Sequence, residues 1–372
     1  MKAGRSLDGL VQEIVRQSET KKDYLADTRH IGVMPVGDTV KMELSGRSDE
    51  PNVVLDINPI AHRQIGEHTK IPAVYYDRMK AEAPELLANN IRTWFNKYPS
   101  VQMLRTLDGK DRAFLSNKFR ALDNLDLAEA VVPQLQERGV LMMSGEVTDT
   151  KLYMKFVDQR ITRDLKPGQL LGKGHDRFET CCPALTISNS EVGYGALSVN
   201  TSVWFGGCTN LVVLNERSAR RYHVGARQDI GEEVFALLSD TSKRLNDAAL
   251  WSTLKDVVGA AFDQAQFDAT VAKLQEAKND VLDADPVKTI EVVAKKYGFG
   301  DNERGSILKH YCQTGDFSRF GIQAAITRTA EDLEDYDRAS QFEQLGGKVI
   351  ELARDDWKVL AKAASGELAQ AA

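Results

Sequence analysis

Leu7, Leu10, Val11, Ile14 and Val15 sit near helical spacing and predict one apolar face of a short N-terminal helix. The pattern then changes, and HIGVMPVG, DTVKMELSG and PNVVLDINP predict short strands and turns over 28–58. Over 72–98 it is helical again, with Tyr76, Met79, Leu86, Leu87, Ile91 and Phe95 near a helical repeat that Pro84 interrupts. Asp108-Gly109, set between two apolar runs, predicts a hairpin. A helix is expected over 124–139, capped by Asp123 or Asn124 and stopped by Gly139, with Pro133 in its middle. VLMMSGEVTDTKLYMKFVD predicts a second hairpin that turns near Thr148-Asp149. After a glycine-rich basic loop, 164–177, the stretch 178–214 predicts about three more strands, rich in Thr, Ser, Val and aromatics. From about 226 the pattern is helical to the end, with breaks expected at Gly298-Phe299-Gly300 and Gly346-Gly347 and a charged helix pair at the terminus.

A run of strands followed by a run of helices argues for an α+β protein. The expected architecture is an antiparallel sheet with packed helices, on a hairpin–helix–hairpin core, followed by an all-helical C-terminal region. The expected divisions are a mixed part over 1–100, a β-rich core with a basic surface over 101–250, and an acidic helical part over 251–372. A chain of 372 residues fits about two domains and is long enough to bury a core. It has no apolar run long enough for a membrane span, and its N-terminus lacks the pattern of a secretory signal. Cys181, Cys182, Cys208 and Cys312 are too sparse for a disulfide framework, which points to a reducing, cytoplasmic compartment. A net charge of −6 disfavours nucleic acid until its distribution is considered: 1–100 is neutral, 101–230 carries +2 and 231–372 carries −8. The middle can therefore present a basic face.

Catalytic motifs are weak. GQLLGKG (168–174) resembles a phosphate-binding loop, but it has three residues between its glycines where four are needed, and Gly174 replaces the Ser or Thr after the lysine. It reads better as a flexible basic loop. Asp149-Thr150-Lys151 fits half of a metal-dependent nuclease site, where a carboxylate pair would hold Mg²⁺, but at a hairpin tip it reads better as ordinary turn residues. His175, Cys181, Cys182 and Cys208 make a poor zinc site, because adjacent strand residues point to opposite faces. No catalytic residue, metal or cofactor is expected outside the nuclease alternative.

What remains is a basic set in the β-rich middle. Arg105, Lys110 and Arg112 flank the first hairpin, and Lys118 and Arg120 follow it. Lys151, Lys155, Arg160 and Arg163 lie on or after the second. Lys173, His175 and Arg177 sit in the glycine-rich loop. Arg217, Arg220, Arg221 and His223 occupy ERSARRYHVG, where a helix would put 217, 220 and 221 on one face. Tyr153, Phe156, Phe178, Tyr194, Trp204 and Tyr222 are interleaved. A groove of cations and aromatics suits single-stranded nucleic acid, because phosphates pair with charge and bases stack. The alternative is that the aromatics are core and the charges solvated.

Four stretches resemble a large family of phage and plasmid-like proteins of unknown function: IPAVYYDRMKAEAPELLANNIRTWF (71–95), RAFLSNKFRALDNLDLAEAV (112–131), LTISNSEVGYGALSV (185–199) and GGCTNLVVLNERSARRYHVG (206–225). The resemblance covers about 30–250. That family usually carries Asn-Gly after the cysteine, whereas here Asn210 is followed by Leu211. The resemblance implies a mobile-element origin and an intracellular location, and no reaction. At the level of fold alone, the order hairpin–helix–hairpin–strand–helix across 102–245, with VGYG on a central strand, is similar to the core of single-strand annealing recombinases. That similarity implies a homo-oligomeric ring or filament that holds single-stranded DNA, yields annealed duplex in recombination and repair, and needs no nucleotide. DNA contacts would fall to Arg112, Lys118, Arg120, Lys151, Lys155, Arg160, Arg163, Lys173, His175, Arg177, Arg217, Arg220, Arg221 and His223. The C-terminal helices would be open to a phage or host recombination partner. Two alternatives from other classes stay open. One is an anti-restriction or anti-defence factor whose acidic helices meet a host protein, and the other is a metal-dependent nuclease built on Asp149 and Lys151.

Overall fold

Ser6 starts the first helix: its hydroxyl accepts a hydrogen bond from the Gly9 amide, and α1 (Leu7–Thr20) turns Leu10 and Ile14 inward while Val15 stays outside. The computed structural model describes residues 1–45, 52–120, 122–166, 179–206, 210–214, 219–221 and 240–366, with 219–221 and 240–247 described by their backbone.

The first sheet has six strands in the order β1-β5-β6-β4-β3-β2. They are β1 (Lys22–Asp27), β2 (Ile31–Val36), β3 (Thr39–Leu44), β4 (Val53–Ile57), β5 (Val101–Leu107) and β6 (Lys110–Ser116). β4 and β6 pair in parallel and the other neighbours are antiparallel. Asp108 (φ 52) and Gly109 (φ 76) make the expected β5–β6 turn, both in the left-handed region that such a turn requires. Two inner strands of this sheet thus come from beyond residue 100. α2 (Pro59–Thr69), α3 (Ala73–Glu82) and α4 (Pro84–Lys97) supply the helical layer, and Met42, Ile65, Met79, Ile91, Phe95 and Phe114 lie in the shared core. Pro84 opens α4, where its missing amide costs no hydrogen bond, so the expected interruption separates two helices.

His62, on α2, is buried, and its Nδ1 shares a 2.9 Å hydrogen bond with the Tyr76 hydroxyl. Burial, aided by Lys80, lowers its pKa to about 4. The unfolded chain takes up this proton near pH 6.5 and the folded chain only near 4, so stability present above pH 6.5 is lost as pH falls through that window. We expect a loss of up to about 3 kcal/mol. Urea unfolding at a series of pH values will detect it as a slope that His62→Gln flattens; identical slopes in the two proteins would refute the assignment.

The second sheet runs β12-β11-β10-β8-β7, with β13 beside β11 and β9 beside β10. Its strands are β7 (Leu141–Val147), β8 (Leu152–Val157), β9 (Arg163–Leu165), β10 (Glu179–Asn189), β11 (Leu197–Phe205), β12 (Asn210–Val213) and β13 (Ala219–Arg221). On one face, α1, α5 (Asn124–Glu137) and α6 (Asp240–Ala260) pack over Leu152, Met154, Phe156, Leu185, Ile187 and Val199. The helical region continues through α7 (Gln264–Asn279), α8 (Pro286–Tyr297), α9 (Asp301–Thr314), α10 (Arg319–Asp332), α11 (Tyr336–Ile350) and α12 (Arg354–Ser365). Tyr153 and Lys155 alternate with the first set along β8, and they meet Tyr336 and Glu343 of α11 on the opposite face. The protein is therefore α+β with an all-helical C-terminal region, as the pattern predicts. Among the described residues, no helix is long and apolar enough to cross a membrane.

Three expectations need correction. Gly298 (φ 71) does end α8, but Gly346-Gly347 breaks nothing, because α11 runs straight through both. The helix that would have put 217, 220 and 221 on one face is not formed at 219–221, whose backbone is strand β13 beside β11. VGYG lies in the turn between β10 and β11, because Gly193 (φ 80) and Gly195 (φ 152) take backbone angles that a strand cannot.

Candidate nucleic-acid interface

The turn 190–196 joins the two long central strands of the second sheet and leans on the first sheet. Gln64 of α2 donates to the Val192 carbonyl at 2.8 Å, and a Cβ on Gly193 would meet Leu115 at 2.8 Å and Phe119 at 3.9 Å. On its other flank, Ser190 donates to the Thr150 carbonyl, and a Cβ on Gly195 would meet Lys151 Nζ at 3.2 Å. Gly193 is favoured here by close approach as well as by φ, and Gly195 by φ, since the Lys151 end could move aside. β13 pairs with the first residues of β11, Arg220 opposite Ser198 and Arg221 opposite Leu197, so its backbone lies at the same end of the sheet.

Glu191 locks this junction. Its carboxylate, 5% exposed, receives Arg112, Lys21 and the Asn124 amide, and its carbonyl accepts from Arg105. The Asn124 bond means that a carboxylate 67 residues away, not the adjacent Asp123, satisfies the first amide of α5. Asp123 is engaged elsewhere, at 2.8 Å from Arg105 and 2.7 Å from Lys21. Burial pushes the Asp123 carboxyl up, but these two cations hold it below the usual carboxylate range. Asp23 completes the cluster at 2.9 Å from Arg105. Lys21, Arg105 and Arg112 thus balance Asp23, Asp123 and Glu191.

This cluster and one buried pair change the expected site. Arg112 is buried against Glu191, its side chain only 11% exposed and its charge already met by that carboxylate. Lys155 is 0% exposed, 2.7 Å from the equally buried Glu343. Burial works to lower its pKa, and Glu343 more than reverses this, so the ammonium is charged and already neutralised. Both residues are withdrawn from DNA contact by carboxylates distant in sequence. Arg163 pairs with Asp268 at 2.7 Å on the surface, where such a pair is weak enough to exchange, while exposed Arg160 is held at 2.6 Å by the buried carboxylate of Asp158. They follow the far end of β8, however, about 20 Å from Lys151 across a six-residue strand. Lys118 is exposed, while Arg120 and Lys151 are half-buried. Lys173, His175, Arg177, Arg217 and His223 lie outside the described residues, as do the side chains of Arg220 and Arg221.

No family model, no curated protein and no solved structure matches the chain. The turn and its neighbours therefore have to be judged by their own chemistry. Asp149 is an exposed turn residue, and among the described residues no three His, Cys, Asp or Glu side chains cluster as metal ligands would. Cys181 and Cys182 are buried on opposite faces of β10, and burial pushes the Cys181 thiol up to about 12, so it is an inert core group. Sequence reasoning missed Glu191, Lys21 and Gln64. The only signal for them was Glu191 itself, an acidic residue in an otherwise uncharged stretch from 180 to 215.

Proposed function

We propose that this protein binds single-stranded DNA at the 190–196 turn and promotes annealing without nucleotide hydrolysis. The observation that carries the reading is convergence. Lys151, the Gly193–Gly195 turn with half-exposed Tyr194, the Lys118–Arg120 segment beside Phe119, and the β13 backbone come from four separate stretches of chain and gather at one end of the second sheet. In this reading Lys118, Arg120 and Lys151 attract phosphate, and Tyr194 and Phe119 offer rings to unpaired bases. Neither task needs a nucleophile or a metal. A site of this extent holds only a few nucleotides, so annealing calls for several copies acting together as a homo-oligomer.

The test is anisotropy of a labelled single strand over a salt series. Log Kd is expected to rise linearly with log salt, each phosphate contact adding about 0.7 to the slope. Lys118→Glu combined with Lys151→Glu is expected to remove more than one contact's worth of slope. Absence of binding even at low salt would end the proposal. Binding with an unchanged slope in the double variant would move the site elsewhere on the protein.

A further inference from the structure

A second concavity lies in the helical layer of the first sheet, away from the 190–196 turn. It measures about 710 Å³, within the range of small-molecule sites. Lys70 and Pro72 line it from the α2–α3 connection, Tyr75 from the first turn of α3, Asn90 and Trp94 from α4, Tyr98 from just past the end of α4, and His68 from the end of α2. Its chemistry is uneven in a useful way. Trp94 and Tyr98 stack with centroids 5.9 Å apart and planes 7° from parallel, and Lys97 Nζ lies 5.4 Å and 5.8 Å from the two ring centres. Tyr98 is 64% exposed and Tyr75 46%, which is a large aromatic area to leave in water.

The lining carries no carboxylate. Among the described residues, neither Lys70 nor Lys97 has an ion-pair partner. Asn90 commits its amide nitrogen to the Leu86 carbonyl at 2.9 Å, so its oxygen is the atom left to accept a bond. His68 packs edge-on against Phe95 and Phe114, and burial lowers its pKa, which disfavours the charged imidazolium. Flat rings beside cations, with neutral polar groups and no acid, suit a planar polar ring attached to an anion.

We propose that this cleft binds a nucleobase, stacked against Trp94 and Tyr98, with the attached phosphate toward Lys70 and Lys97. The base comes either from a free nucleotide or from an unpaired strand, and the two sources separate in the test.

The experiment follows tryptophan fluorescence of the full chain during titration with dAMP, a deoxyadenylate oligonucleotide, or ribose 5-phosphate. Stacking quenches Trp94, and Trp94→Phe removes that component while Trp204, Trp251 and Trp357 remain. Tyr98→Ala, at a position 64% exposed, is expected to weaken binding roughly tenfold. Trp94-dependent quenching by dAMP supports a mononucleotide site, and quenching by the oligonucleotide alone supports a base presented on a strand. No Trp94-dependent quenching by either probe, or an equal response to ribose 5-phosphate, overturns the proposal. Lys118→Glu with Lys151→Glu leaves the Trp94 response intact, so failure of the 190–196 site is not mistaken for failure of this one.

Discussion

Glu343→Gln is expected to destabilise the protein by about 3–5 kcal/mol. Glu343 and Lys155 are both fully buried and 2.7 Å apart, and the ammonium also lies 4.6 Å from the Tyr336 ring centre. With the carboxylate gone, a desolvated cation keeps only the aromatic ring and amide dipoles for company. The pair itself need not stabilise the fold, since bringing both charges out of water costs about as much as their attraction returns. Lys155→Met combined with Glu343→Leu should therefore recover most of the loss, because the two sites are coupled and their effects do not add. Equilibrium urea unfolding of the two single variants and the double variant measures this directly. A single variant that costs under about 1 kcal/mol, or a double variant as damaged as the sum of the singles, would contradict the buried-pair account.

Gly347→Ala is expected to cost about 3 kcal/mol, near the top of the range for overpacking. A Cβ at this position would lie 1.8 Å from the Val213 carbonyl oxygen and 2.8 Å from its carbon, and backbone of a paired strand cannot step aside as a flexible side chain can. The sign of the result is informative. If Gly347 were only a weak point in α11, alanine would stabilise the helix by about 1 kcal/mol through its higher propensity. Its expected damage comes from contact alone: α11 lies close enough to β12 that only hydrogen fits between them. Thermal or urea unfolding of Gly347→Ala decides between the two, and a gain in stability would reject the contact reading.

Both predictions concern the same interface, the packing of α11 on the second sheet. Its importance for function is indirect. α11 takes Lys155 out of reach of any phosphate, and Asp337 at its start accepts hydrogen bonds from Thr148 and Thr150, which steadies the turn that carries Lys151. The acidic C-terminal region is thus part of the scaffold behind the proposed DNA site.

The difference between what was legible and what was not follows the range of the forces involved. The Asp108-Gly109 hairpin, the helix boundary at Pro84, the stop at Gly139 (φ 66) and the break at Gly298 were readable, because each depends on the φ preferences of one or two residues. The helix α2 was readable in principle and overlooked: Asn58 accepts from the Ala61 amide at 2.8 Å, and Pro59 opens the helix. β1 gave no such signal, since KDYLAD is a mostly exposed edge strand that pairs with β5, about 80 residues away. The basic set was legible only as a list of cations.

The sequence by itself determined the α+β order, the turns and the apolar faces, because these are written in side-chain period and local backbone preference. Only the tertiary structure decided which charges remain for a ligand. Arg105 meets Asp23 and Asp123, Arg112 meets Glu191, and Lys155 meets Glu343, across separations of 18 to 188 residues. A carboxylate neutralises a cation through distance in space and exclusion of water, and neither quantity is encoded in the spacing of residues along the chain.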